Sequence, residues 1–252
     1  MDACNRERSM YGLPVEFELG RATAELVEKR GKQLLSRSRS ILALLLCFDA
    51  GGNNVGSMNG TFYLGGGQAP LILTTAHIIG WGGAVQYKAL FDSEDGVPCV
   101  LDLELLKSGV VVPHQKTTPP PAHKFSPDLA VFQCKVGAQA MPALAPPLPP
   151  RAPSVGDKTY IMAYTEGASR VLNISDGLVS AASWDKYTTT AYADNGYSGA
   201  PVIDMRGFLL GIVVEGIGTT IKQVTFLPVT AIHAFLQTGE PQLPGLPAID
   251  YM

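Results

Sequence analysis

Long apolar runs are missing from this chain. The longest, Ile41 to Phe48, is far short of the ~20 residues that cross a bilayer as a helix. The polar start from Asp2 to Arg8 also lacks the apolar core of a secretory leader, so an intracellular, cytoplasmic protein with no membrane partner is expected. Charge is scarce too. Only 16% of the 252 residues are charged and the net charge is −3, which leaves no positive field to hold a phosphate backbone. Nucleic acid is therefore not an expected partner. The four cysteines, Cys4, Cys47, Cys99 and Cys134, are scattered without metal-ligand spacing. They are expected as thiols in or beside strands, with no disulfide framework, no metal and no cofactor required.

What is abundant is glycine, 27 residues, and proline, 19. Both interrupt helices and serve turns, so an all-β chain is favoured over a helical bundle. Residues 20 to 40 are the exception, with Leu26, Leu34 and Leu35 among Glu, Lys and Arg, a pattern that predicts a short amphipathic helix. From Ile41 the pattern becomes short apolar or alternating runs bounded by Gly, Asn and Asp, predicting strands at 41–48, 60–65, 71–76, 84–90, 98–106 and 128–134. A proline-rich stretch, Pro142 to Pro153, separates these from a second set at 158–164, 170–181, 187–193, 201–205, 208–215 and 221–227. Val229 to Gln237 has helical spacing and follows Pro228. The expected organisation is an arm over 1–40, a first six-stranded barrel over 41–135, a linker over 136–157, a second barrel with a closing helix over 158–238, and a tail over 239–252. The linker segment Pro146-Pro147-Leu148-Pro149-Pro150-Arg151 could serve as a polyproline ligand, and the arm as a docking segment for another protein, though stiff spacer and packing arm are the plainer readings.

Chemistry concentrates in Gly196-Tyr197-Ser198-Gly199-Ala200-Pro201, a turn between two strands. A nucleophilic serine needs a turn that projects Oγ while neighbouring amides converge on the developing oxyanion, and Gly196 and Ser198 can supply those amides. Gly199 is expected to leave room for substrate. Serine is a poor nucleophile without a base. Of His77, His114, His123 and His233, only His77 closes an apolar strand, Leu71 to Ala76, whereas two flank a proline-rich loop and His233 falls on the closing helix. Asp128 precedes the apolar run Leu129 to Phe132, where a charge requires a partner, and it is the candidate to orient the imidazole. Asp102 and Glu104 alternate with Leu101, Leu103 and Leu105 and are expected on a solvated face.

Taken together, Thr74-Thr75-Ala76-His77, Asp128-Leu129-Ala130-Val131 and Gly196 to Pro201 resemble the trypsin-like, chymotrypsin-fold serine peptidases. The order His, Asp, Ser along the chain is that family's order. The resemblance implies two antiparallel β-barrels, a triad of His77, Asp128 and Ser198 across the cleft between them, and protein or peptide substrates. Val155 to Tyr164 and Phe226-Leu227-Pro228-Val229 look like the bacterial-type, HtrA-like branch rather than the disulfide-rich secreted trypsins. By the same analogy Val214, Glu215 and Gly216 would pair with an extended substrate, and Tyr192 would floor the specificity pocket.

Departures from the secreted relatives are informative. Ile78 and Tyr197 stand where those carry a cysteine after the histidine and an aspartate before the serine. No disulfide of the histidine loop and no activation by clipping are expected. With no acid at the Tyr192 position, the resemblance implies a preference for apolar or small side chains. A bare peptidase unit, without a fused peptide-binding domain, is expected. Two other readings stand beside the peptidase: a silent trypsin-like fold acting as a protein-binding module, and an esterase on another scaffold, which would alternate strands with helices.

Overall fold

The apolar run at Ile41 is buried on both faces because it lies where two barrels meet. In β1 (Leu42–Phe48), Ala43, Leu45 and Cys47 point into one core, while Leu42 and Leu44 pack outward against Tyr164 and Leu172. Double burial removes the usual alternation and leaves a continuous hydrophobic stretch. The computed structural model describes Lys32 and residues 41–63, 70–92, 98–109, 127–135, 150–165, 171–183, 185–194, 196–217 and 223–237. The chain divides into two units, Met1–Ser36 and Arg37–Met252, and both barrels belong to the second.

The first barrel consists of β1, β2 (Asn54–Tyr63), β3 (Leu71–Thr74), β4 (Gln86–Asp92), β5 (Pro98–Ser108) and β6 (Ala130–Lys135), closed in the order β1-β2-β3-β6-β5-β4. The second consists of β7 (Lys158–Tyr164), β8 (Leu172–Ala182), β9 (Tyr187–Thr189), β10 (Pro201–Asp204), β11 (Leu209–Ile217) and β12 (Gln223–Pro228), closed as β10-β11-β12-β9-β8-β7. All pairings are antiparallel. Helix α1 (Val229–Gln237) follows directly and covers the predicted span. The predicted strands are all present, with shifted ends. Strand β2 starts six residues ahead of the expected Gly60, and β9 stops at Thr189 rather than 193. Of the amphipathic arm only Lys32 is described, and it is helical; the rest of 1–40, the linker over 136–149 and the tail after Gln237 lie outside the described residues.

The first core is filled by Phe62, Phe91, Phe132, Leu45 and Ile72. Gly60 makes room for it: a Cβ there would stand 2.0 Å from Leu45 Cδ1. The second core uses smaller groups, Ala163, Ala191, Ala200, Val179, Val202, Val213 and Val224, around Ile161 and Phe226. Asp102 and Glu104 are exposed, as alternation implied, and pair with Lys88 and Lys135 at 3.3 and 3.5 Å. Cys47, Cys99 and Cys134 are free thiols on β1, β5 and β6, and burial pushes Cys47 up to about 11 and Cys134 to about 12. Arg151, the last residue of the proline-rich motif, donates its backbone N–H to Leu209 and bridges Asp157 and Asp204 at 2.9 and 3.2 Å. Its guanidinium is thus engaged within the second barrel.

Helix α1 returns the chain to the first barrel. His233, buried on its inner face, lies with Nε2 2.6 Å from the Tyr63 hydroxyl of β2, and the Lys107 ammonium of β5 donates to the Phe235 carbonyl. Burial holds the His233 imidazole below its ordinary pKa.

Candidate active site

Two tight turns present the imidazole and the carboxylate. Strand β3 ends at Thr74 and not at Ala76, and His77 lies in the single 3-10 turn Ala76–Ile78 that follows. Ala76 and Ile78 are buried in the first core, so the residue between them faces outward at the barrel rim. Asp128 likewise precedes β6 by two residues. The Leu129 N–H donates to the Pro127 carbonyl at 2.8 Å, a three-residue turn with Asp128 at its apex.

The Asp128 carboxylate grips His77 twice. Oδ1 accepts the His77 backbone N–H at 2.9 Å and Oδ2 lies 2.7 Å from Nδ1. An ionised carboxylate only accepts, so Nδ1 carries the proton and the neutral ring presents its lone pair at Nε2. Both side chains are part-exposed rather than buried, because they project from turns at the rim. Nε2 lies 3.5 Å from Thr75 Oγ1, and among the described residues no hydrogen bond joins it to Ser198.

Ser198 is half-buried in a turn held by its neighbours' amides. Tyr197 N–H donates to Asp194 O, Ala200 N–H to Tyr197 O and Gly199 N–H to Val213 O, at 2.8 to 3.1 Å. Gly196 has φ of 88° and Gly199 of 81°, a region open to glycine at little cost. Among the described residues the N–H groups of Gly196 and Ser198 donate to nothing, although those of Tyr197, Gly199 and Ala200 are bonded. The role expected of Gly199 is corrected. A Cβ there would stand 2.1 Å from the Asn59 carbonyl and 2.3 Å from Thr74 Oγ1, so the missing side chain admits the first barrel, not substrate.

Sequence reasoning missed the polar residues beneath this turn. Asn59, Thr61 and Thr74 of β2 and β3 are fully buried. Asn59 Nδ2 donates to the carbonyls of Gly196 and Tyr164 at 2.6 and 3.0 Å, and Thr61 Oγ1 to that of Gly199 at 2.9 Å. Asparagine inside a strand is the signal that could have exposed them, since strands disfavour it.

The other expected residues lie on β11 and the loop before the serine. Beyond Ile212 strand β10 ends, Val213 is bonded to Gly199 and Ala200, and among the described residues Glu215–Ile217 pair only with β12 on that sheet. Val214 is the extra residue of a bulge and is buried, Glu215 is exposed, and Gly216 lies opposite Val224. Tyr192 is part-exposed, stacks edge-on to Tyr197 and donates its hydroxyl to Asp194 at 2.6 Å, which raises the phenol's pKa. His114 and His123 lie outside the described residues.

A family model described as the trypsin-like peptidase domain matches residues 59–212, from the buried asparagine to mid-β11. This chain belongs to the trypsin-like peptidases. Among solved structures, the trypsin-like fold is shared with the serine endoprotease from Yersinia pestis, at 20% identity and a TM-score of 0.59 over 82% of this chain and 64% of that one. It is shared also with Deg5, at 15% identity and a TM-score of 0.57 over 82% of this chain and 92% of Deg5. The chain thus spans less than two thirds of the Yersinia enzyme. No curated protein matches it.

Proposed function

We propose that this trypsin-like domain is a serine endopeptidase in which Ser198 is the nucleophile, His77 the base and Asp128 the orienting acid. The observation that carries the reading is the double grip of Asp128 on His77, which fixes both the ring and its tautomer. As Ser198 Oγ attacks a peptide carbonyl, His77 Nε2 takes its proton, and Asp128 stabilises the imidazolium. The Nε2 to Oγ bond has to close for that transfer, as such bonds do on forming a productive complex. Gly196 and Ser198, whose amides bond nothing among the described residues, are the donors for the oxyanion. The imidazolium then protonates the leaving amine, and water, deprotonated by the same His77, releases the acyl group.

Substrate would add as a strand to the open edge of β11 near Val214, Glu215 and Gly216. A pocket beside the serine would draw on the exposed Tyr192 and on Ala193, which is only partly buried against the second core. Asp194 is the nearby acid in sequence, and its carboxylate is already bonded by Tyr192. Apolar or small side chains before the scissile bond fit these surroundings.

The test is intact-mass analysis after treatment with a fluorophosphonate. One adduct on the parent, absent from Ser198→Ala, is expected; no adduct on folded parent sinks the peptidase in favour of a silent binding module. Cleavage of a peptide library is expected after small or apolar residues, and a profile dominated by Lys and Arg would overturn the pocket while leaving the triad standing.

A further inference from the structure

A strand-borne asparagine with no exposed surface is costly unless its amide is bonded. Asn59 uses both ends of that amide in the way a backbone would. Oδ1 accepts the Tyr164 N–H at 2.7 Å while Nδ2 donates to the Tyr164 carbonyl at 3.0 Å, locking β2 of the first barrel to the end of β7 in the second. The remaining Nδ2 proton goes to the Gly196 carbonyl at 2.6 Å. Asn59's own carbonyl accepts Thr74 Oγ1 at 2.8 Å and abuts Gly199, so the side chain is held from below.

The geometry points to Asn59 as the positioning residue of the oxyanion-binding amides, reaching from the barrel that carries the base to the turn that carries the nucleophile. This rests on the serine peptidase reading and adds to it a residue that touches neither substrate nor the reacting atoms. Gly196, at φ of 88° and without a side chain, has unusual freedom to swing its N–H. Pinning its carbonyl fixes the plane of the peptide to Tyr197 and leaves fewer torsions to set the direction of that N–H. Only donors already aimed at the developing charge help in the transition state. Two barrels joined at a buried amide provide that aim, whereas a tether from the second barrel alone would move with the turn.

The experiment compares Asn59→Ala and the milder Asn59→Ser with Thr159→Val, which deletes the buried 2.6 Å Thr159–Thr189 hydroxyl pair elsewhere in the second barrel. The expected result for both Asn59 variants is kcat down about a hundredfold with KM within about threefold, the signature of lost transition-state binding. Amide hydrogen exchange at the bonded Tyr197, Gly199 and Ala200 should quicken in them alone, and Thr159→Val should lose Tm with neither effect. Unchanged kcat and unchanged exchange in a folded Asn59 variant overturn the inference, as do equal changes in Thr159→Val. If the parent neither labels nor cleaves, the peptidase reading fails by itself. Exchange still judges the tether: quickening confined to the Asn59 variants supports it, and no quickening overturns it.

Discussion

The two barrels share a strand order and differ in what fills them. The first is packed with three fully buried phenylalanines and the branched side chains between them, and its polar groups stand on the face toward the second. The second is built largely of alanine and valine, with Phe226 the largest fully buried group. A core of large rings is a stiff support for the turns that carry His77 and Asp128. The second core is lined with small residues, Ala200 and Val213 among them. On the peptidase reading proposed above, similar topology is filled for support on one side and for recognition on the other.

The largest break in that division of labour comes from its rim pair. Asp128→Asn leaves the geometry but favours the other tautomer, and kcat for peptide hydrolysis is expected to fall about 10⁴-fold, with His77→Ala at least as severe. Next come the cores. Phe132→Ala should cost about 3–5 kcal/mol by denaturant melt, against about 2 kcal/mol for Val202→Ala, since the first leaves the larger void. Equal losses would mean that the barrels do not differ as supports.

A smaller effect tests the helix that returns to the first barrel. His233 is held neutral by burial, below its ordinary 6.5, so the unfolded chain binds more protons as pH drops past that value. Stability is therefore full above pH 6.5 and declines as pH falls toward the folded pKa. The groups bearing on it are the Tyr63 hydroxyl and, two residues along the helix, the Lys107 ammonium on the Phe235 carbonyl. Thermal melts from pH 7.5 to 5 should show the decline, and His233→Gln should remove its share of the slope. Smallest of all, Lys88→Ala should change stability by less than about 1 kcal/mol, because its 3.3 Å pair with Asp102 is solvated. A larger loss would assign the first barrel's stability to its surface.

Legibility in the sequence followed the range of the cause. Alternation and turn residues are local, so twelve strands and the α1 boundaries could be read directly, and the exposure of Asp102 and Glu104 came from period two alone. The ends were less secure. Thr75 and Ala76 continue an apolar pattern, but the chain there leaves the ladder with β6, which runs only from Leu71 to Thr74. Gly199 was misread because its reason lies 140 residues away (199 − 59), in a carbonyl of β2.

By itself the sequence determined the elements, the residue types that can do acyl transfer and their order, since each depends on neighbours within a few positions. The tertiary structure alone decided that Asp128 meets His77 through two atoms and that Asn59 joins the halves. Those facts arise from closing two barrels and burying polar groups between them, where each donor must find an acceptor remote in the chain.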